Sequence, residues 1–290
     1  MAIHLVGATG NIGKRVVEKG GDKINVISRF ELKLDQRPLY YNFDAKTIGG
    51  TSIKEGDVIV FAAAISEPSV VSAQFEKALA VNVDSTGEFI ETALAKSCKV
   101  IFLSSDAVYG EVECGFDESQ PVNPKGAYAE MKAIVEKRFE RSNSFKALRL
   151  SYNFHKDDRF TVYLRQCAET GVEAEIFDPL YRSVIHRDDT VDAILNLAQD
   201  WKLGGDYTYI NCGGPHNMSR KDIAKAVRDG ALSNLKYKVT QPPAKFYGDR
   251  AAFSNMISPR LQKILGRGAT TIRPAVALEF GDSVVRETIS

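Results

Sequence analysis

Apolar runs of strand length alternate with stretches of helical period through the first half of the chain. Ile3 to Val6, Ile24 to Ser28, Tyr40 to Phe43, Val58 to Ala63, Val100 to Ser104 and Ala147 to Leu150 are predicted strands, and Val70 to Ala95 and Tyr128 to Arg141 are predicted helices. Strands that are apolar without alternation are buried on both faces. The pattern therefore predicts an α/β fold, a doubly wound parallel sheet covered by helices, with ligands beyond the C-terminal strand ends. After about Ser151 the regularity falls away. A helix from Arg159 to Glu169, a short strand near Ile176, a helix from Asp188 to Leu197 and a strand from Tyr207 to Asn211 are expected there. A Gly-Gly-Pro turn and a helix capped by Ser219 and running to Arg228 follow. The expected division is residues 1–150 as one region and 151–290 as a smaller C-terminal α/β lobe, interleaved with the last strands. No repeat, low-complexity tract or linker separates them.

The first strand breaks into glycines at positions 7, 10 and 13 and then into a helix beginning near Asn11. Glycines let the backbone bend tightly, admit an anion at hydrogen-bonding distance and pack the helix against the sheet. The helix then offers unpaired N–H groups and the positive end of its dipole to a pyrophosphate. The spacing is G-x-x-G-x-x-G rather than G-x-G-x-x-G, and a plain glycine-rich strand-to-helix turn has the same look.

Length and composition narrow the classes. A chain of 290 residues has room for a full α/β core and a further lobe. Its formal net charge of +1 provides no field to gather nucleic acid or an anionic membrane, so an anionic ligand must be met locally. The N-terminus enters a strand directly and the longest apolar run, Val58 to Ile65, is too short to span a bilayer, so a soluble, unprocessed chain is expected. The four cysteines lie far apart with no C-x-x-C spacing. They suggest no metal site and no disulfide framework, but reduced thiols in a cytoplasmic protein.

Tyr128 and Lys132 lie one helical turn apart, so their side chains leave the same face. A nearby ammonium favours the phenolate and is expected to lower the tyrosine's pKa, preparing it to exchange a proton with a carbonyl or alcohol oxygen. The predicted strand ending in Ser104-Ser105 brings hydroxyls to the crevice, where Ser105 is suited to polarise that oxygen. The same pair also suits plain surface cover, and the serines also suit turn capping.

Taken together, the glycine turn, Phe61-Ala62-Ala63-Ala64, Asn82-Val83 with Thr86, Ser-Ser-Asp-Ala-Val-Tyr-Gly and the Tyr128/Lys132 pair resemble the extended short-chain dehydrogenase/reductase family. The resemblance implies a Rossmann-type dinucleotide-binding domain over residues 1–150, a sugar-nucleotide lobe over 151–290, and a catalytic triad of Ser105, Tyr128 and Lys132. Asn82 and Asp106 would support catalysis. Coenzyme contacts are implied for Gly7, Thr9, Gly10, Asn11, Ile12, Gly13, Ser28, Arg29, Asp44, Ala62, Ala63, Ala64, Ser104, Tyr128, Lys132 and Ser151. Substrate contacts are implied for Ser66, Ser105, Asp106, Ala107, Asn153, Arg182 and Arg187, the two arginines as candidates for a diphosphate.

Within that family, Ser28-Arg29 after the second strand favours the 2′-phosphate of NADPH, while Glu31 and Asp35 keep NAD(H) open. Ala107 stands where the family's 4,6-dehydratases resemble one another in carrying glutamate, which leaves no base for dehydration. Ser-Asp-Ala-Val-Tyr is similar to the dTDP-4-dehydrorhamnose reductase branch, which implies reduction of a 4-keto-6-deoxyhexose linked to a nucleoside diphosphate. An NAD-dependent nucleotide-sugar 4-epimerase and a non-catalytic NADP-binding regulatory subunit are the rival readings. Phe154-His155-Lys156 departs from the Tyr-Gly of many relatives and leaves the hexose open. His4 is read as structural, His186 as a core or hinge residue and Trp201 as a lid on apolar surface. Relatives commonly pair the two long helices into a dimer, so a homodimer is expected, with no membrane or nucleic-acid partner.

Overall fold

The computed structural model describes residues 1–28, 38–40 and 53–281. The strands are β1 (Ile3–Val6), β2 (Ile24–Ser28), β3 (Pro38–Tyr40), β4 (Val58–Phe61), β5 (Lys99–Ser105), β6 (Val112–Phe116), β7 (Phe145–Leu150), β8 (Asn153–Phe154), β9 (Ala174–Phe177), β10 (Tyr181–Ser183), β11 (Ile185–His186), β12 (Tyr209–Cys212), β13 (Asn217–Ser219), β14 (Tyr237–Thr240) and β15 (Phe253–Met256). The α-helices are α1 (Asn11–Gly20), α2 (Pro68–Ala73), α3 (Phe75–Leu79), α4 (Thr86–Ala95), α5 (Ala127–Phe139), α6 (Arg159–Thr170), α7 (Arg187–Gln199), α8 (Arg220–Gly230), α9 (Leu261–Leu265) and α10 (Ile272–Phe280).

Seven parallel strands form the main sheet in the order β12-β7-β5-β4-β1-β2-β3, the doubly wound arrangement that the unbroken apolar strands predict. Successive side chains on each strand feed opposite cores. Leu5, Val58, Val60, Ile101 and Leu103 join one with Val191 and Ile194 of α7. Val6, Ile59, Phe61, Val100 and Phe102 join the other with Phe89 and Ile90 of α4 and Val135 of α5. Between β1 and β2 the chain stays on one side of β1, then returns to lay β4 on the other, so the topological switch point lies between β1 and β4. His4 is fully buried, with Nε2 3.0 Å from Asp57 Oδ2.

Register decides what projects into the crevice. Phe61, the last residue of β4, pairs with Phe102, and β5 runs three residues further to pair Ser105 with Leu150. Its C-terminal serines therefore stand proud of the neighbouring strand. β1 and β2 match their predicted bounds, whereas β4 stops at Phe61, short of the expected Ala63, because the Gly7 backbone abuts Ala62 and Ala63. Residues 41–43 of the expected third strand lie outside the described residues.

The single helix expected over Val70–Ala95 is broken. Gln74 leaves helical geometry at φ −129° and ψ 48°, and Ala80–Ser85 forms a π-helical turn. Thr86 donates its hydroxyl to the Val81 carbonyl across that turn at 2.8 Å. Wide turns of this kind re-aim a side chain, here Asn82.

A second sheet, β13-β10-β15-β6, was not anticipated, because its strands are short and half-exposed and carry no regular alternation. It draws β6 from before residue 150, while β12 from after it completes the main sheet. Ser219 caps α8 through a capping box with Asp222, as its position before the apolar-periodic stretch predicts.

A buried polar chain locks α5 to the sheet. Arg149 of β7 holds Glu136 of α5 in a forked ion pair, Nη2 to Oε2 at 2.6 Å, with both side chains 2% exposed. Nη1 of Arg149 donates to Tyr109 Oη at 2.7 Å, Tyr109 donates to Asn211 Oδ1 at 2.7 Å, and Asn211 Nδ2 donates to the Ile257 carbonyl at 2.9 Å. Removing one partner of such a pair strands the other charge. Arg149→Leu is expected to lower stability by about 3–5 kcal/mol, and the double variant Glu136→Leu/Arg149→Leu to recover most of that loss, as read from urea unfolding. A double variant no more stable than the single one would show that the ion pair itself is not what matters.

Candidate functional site

Glycine chemistry shapes the turn after β1. Gly7 sits at φ +97°, and a Cβ there would lie 2.6 Å from the Ala63 nitrogen; at Gly13 it would lie 2.1 Å from the Gly7 carbonyl oxygen. Both are close-approach positions that only glycine fills. A Cβ at Gly10 would meet only the Gly7 oxygen, at 3.7 Å, so the turn is open on that side. Gly10 caps α1 without a side chain, and the first turn of α1 carries no acidic residue. Thr9 and Asn11 beside it are exposed, while Ile12 packs on the core. The turn is close-packed and lies at the switch point, where a helix N-terminus is suited to an anion. Ser28 ends β2 beside it, and Ala62, Ala63 and Ala64 line its other edge, half-buried. Buried Ser104 Oγ has no hydrogen-bond partner among the described residues, an orphan that suits a bound ligand. Arg29 and Asp44 lie outside the described residues, as do Glu31 and Asp35.

Asn82 staples the loop after β4. Its Oδ1 accepts from the Ile65 N–H at 2.8 Å and its Nδ2 donates to the Ile65 carbonyl at 2.9 Å. Met131 Sδ of α5 lies 3.6 Å from the same Nδ2, so the residue ties that loop towards α5.

Beside the crevice lies a cavity of about 290 Å³. Ser66, Ser105, Asp106, Ala107, Tyr128, Ser151 and Arg182 all line it, so residues spread over 117 positions of sequence converge on one space. Ser105 takes the capping role foreseen for it and lines the cavity. Its Oγ accepts from the Ala107 N–H at 3.2 Å, capping the next turn, and donates to Asp106 Oδ1 at 3.3 Å. Asp106 is held in turn by the hydroxyls of Ser151 at 3.0 Å and Ser254 at 3.3 Å, with Arg182 Nε 3.8 Å away.

Lys132 departs from expectation. Its Nζ donates to the Leu103 carbonyl at 2.7 Å, lies 4.3 Å from the centre of the Phe102 ring and stands 5.7 Å from that of Tyr128. Burial lowers its pKa to about 7, against the pull of Glu136. The Tyr128 phenol is not lowered as the sequence suggested: burial first, and Asp106 second, push it up. Neither cause is the lysine, whose Nζ is committed to the Leu103 carbonyl and the Phe102 ring.

Two expected substrate contacts are corrected. Neither Arg187 nor Asn153 lines the cavity. Arg187 Nη1 donates to His155 Nδ1 at 3.2 Å and its Nη2 lies 3.9 Å from Glu279 Oε1, where His186 Nε2 also lies at 2.9 Å. Because β11 pairs with β8 and α7 starts at Arg187, the guanidinium is drawn into this separate buried cluster. Asn153 is spent on Thr190 and on the Ser151 carbonyl. In their place the cavity holds Lys125, Tyr152, Arg220, Asp249 and Arg250, which the sequence reading missed. Nothing local marks them, since a solvated surface arginine has the same sequence surroundings.

Residues 1–281 match the family described as the RmlD substrate binding domain. Among solved structures the chain is similar to MoeE5 in complex with UDP-glucose and NAD (19% identity, 97% of each chain covered, TM-score 0.79). It is also similar to UDP-glucuronic acid 4-epimerase from Bacillus cereus (18% identity, 97% of this chain and 98% of that one, TM-score 0.78). A third similar structure is a dTDP-4-dehydrorhamnose reductase from Clostridium acetobutylicum (17% identity, 96% and 98%, TM-score 0.77). A search of curated proteins gives no match. No helix among the described residues is long and apolar enough to cross a membrane.

Lys132 makes a pH signature. With its pKa near 7 when folded and 10.5 ordinarily, its ammonium opposes folding below pH 7, and that opposition fades as pH rises. Lys132→Met is therefore expected to be more stable than wild type near pH 7, with the gap in urea midpoint narrowing towards about pH 9. A gap independent of pH would contradict the lowered pKa.

Proposed function

Because the chain belongs to the RmlD substrate binding domain family, within the extended short-chain dehydrogenases/reductases, we propose that it reduces the 4-keto group of a nucleotide-linked 4-keto-6-deoxyhexose with NADPH. The observation that carries this reading is one cavity walled by Ser105, Asp106, Tyr128 and Arg182 next to a glycine cradle open for a dinucleotide. Gly7, Gly10, Gly13, the first turn of α1 and the Ala62–Ala64 edge would hold the coenzyme, with Ser28 and Arg29 at its adenosine ribose and Lys132 at its nicotinamide ribose. When bound, it supplies a hydride to the carbonyl carbon.

The protein's own groups handle the oxygen. Tyr128, kept protonated by burial and by Asp106, donates its proton to the carbonyl oxygen as negative charge develops there, so that ketone becomes alcohol. Ser105 exchanges its long 3.3 Å bond to Asp106 for a bond to the same oxygen. Asp106, fixed by Ser151 and Ser254, is a positioning residue for Ser105 and Arg182. Arg182 and Arg250 serve the diphosphate, since guanidinium matches phosphate oxygens with parallel bonds. Ala107 beside Ser105 offers no base, which disfavours dehydration. A cytoplasmic, dimeric enzyme fits the same reading.

The test follows NADPH absorbance with dTDP-, UDP- and GDP-linked 4-keto-6-deoxyhexoses, each repeated with NADH. Net NADPH consumption with at least one of them is expected. Interconversion of two nucleotide sugars without net oxidation of the coenzyme would instead indicate a 4-epimerase. Tyr128→Phe is expected to lower kcat about 10²- to 10⁴-fold while NADPH binding, read by fluorescence titration, stays close to wild type. A Phe variant with near-wild-type turnover would remove Tyr128 from the proton step.

A further inference from the structure

Arg220 opens α8 directly after the capping Ser219, and its backbone N–H donates to the Leu180 carbonyl at 3.2 Å. Its guanidinium lies over two aromatic rings, with Cζ 4.3 Å from the centre of Tyr152 and 4.3 Å from that of Phe160. Tyr152 is itself anchored, donating its hydroxyl to Asp158, the cap of α6. A planar cation held against two rings has lost much of its rotamer freedom in advance, so less entropy is lost when it makes hydrogen bonds.

What it lacks is an anion. Nη1 of Arg220 is buried and has no hydrogen-bond partner among the described residues, and no carboxylate among them comes within ion-pair distance. The other arginines of the site and core are provided for. Arg149 has Glu136, Arg182 donates to the Tyr181 and Ala251 carbonyls, and Arg250 pairs with Asp249. Arg220 and Arg182 also share the cavity and repel each other, a repulsion that adds to burial in lowering Arg182's pKa. A guanidinium with no counter-ion beside a like charge is costly, and an incoming oxyanion in the cavity offsets that cost.

We propose that Arg220 is a preorganised oxyanion receptor and a substrate-selecting residue of the cavity, taking a phosphate or carboxylate oxygen of the bound sugar nucleotide on its guanidinium. This rests on the reading of the cavity as a sugar-nucleotide site, but it is read out by binding and needs no turnover. The oxyanion has two possible sources on such a ligand, the diphosphate or an acidic group on the sugar.

Calorimetric titration of the full chain with UDP, UDP-glucose and UDP-glucuronic acid separates them. Arg220→Met keeps a flexible side chain over the two rings while removing the charge and the donors. It is expected to weaken binding about 10- to 100-fold for all three ligands if the diphosphate is the source, and for UDP-glucuronic acid alone if the sugar carboxylate is. NADPH affinity and Tm are expected to stay near wild type. If Arg220→Met is poorly folded, Arg220→Lys in the same titrations keeps the charge but not the fork, and an intermediate loss is expected. Wild-type affinity of a folded variant for every ligand overturns the proposal, as does a wild-type chain that binds none of them nor their dTDP- and GDP-linked counterparts, which would also end the sugar-nucleotide reading. Binding that depends on Arg220 without any reduction would count against the ketoreductase reading alone.

Discussion

The forked pair of Arg149 and Glu136 is the constraint on which the candidate site depends. Its two side chains are taken out of water together, and each is acceptable there only because the other is present. Arg149 lies on β7 and Glu136 lies one turn beyond Lys132 on α5, itself one turn beyond Tyr128. Fixing Glu136 to the sheet therefore fixes the depth and rotation of the helix face that carries Tyr128 and Lys132. The same arginine reaches through Tyr109 to Asn211, so the turn after β5 and the last strand of the sheet are bound into the same chain of contacts. Catalytic geometry within tenths of an ångström requires support of this kind, and a helix packed on apolar contacts alone would be freer to slide.

Charge around the cavity follows a second rule. Asp106 is surrounded by hydroxyls and faces Arg182, which makes it a fixed acceptor that aligns its neighbours. Against it and Asp249 stand Lys125, Arg182, Arg220 and Arg250, so the lining is cationic even though the whole chain is nearly neutral. The near-zero net charge had pointed to local rather than long-range capture of an anion, and the cavity is where that local excess resides. Desolvation acts on Tyr128 and Lys132 as well. It holds the Tyr128 phenol protonated and lowers the Lys132 pKa to about 7, two shifts in opposite directions from one cause, because burial penalises whichever form carries charge.

The parallel sheet, its doubly wound class, the close-packed glycine turn and the convergence of Ser105 with Tyr128 on one cavity were legible from the chain alone. Each depends on a short-range rule: unbroken apolar runs need cover on both faces, three glycines at fixed spacing permit close backbone approach, and a residue at the C-terminal end of a strand faces the ligand crevice. Contacts between distant segments were a different matter. Arg182 and Arg187 look alike in sequence and five positions separate them, yet one meets the cavity and the other His155 and Glu279, because a strand ends and a helix begins between them. Likewise, the Tyr128/Lys132 spacing placed both on one helical face but said nothing of the Leu103 carbonyl and Phe102 ring that claim the ammonium. Local periodicity determined which elements form and which ends they offer. Only tertiary structure decided which charges are desolvated, which are partnered and which, like Arg220, are left waiting, because those quantities depend on neighbours that the chain brings together from far apart.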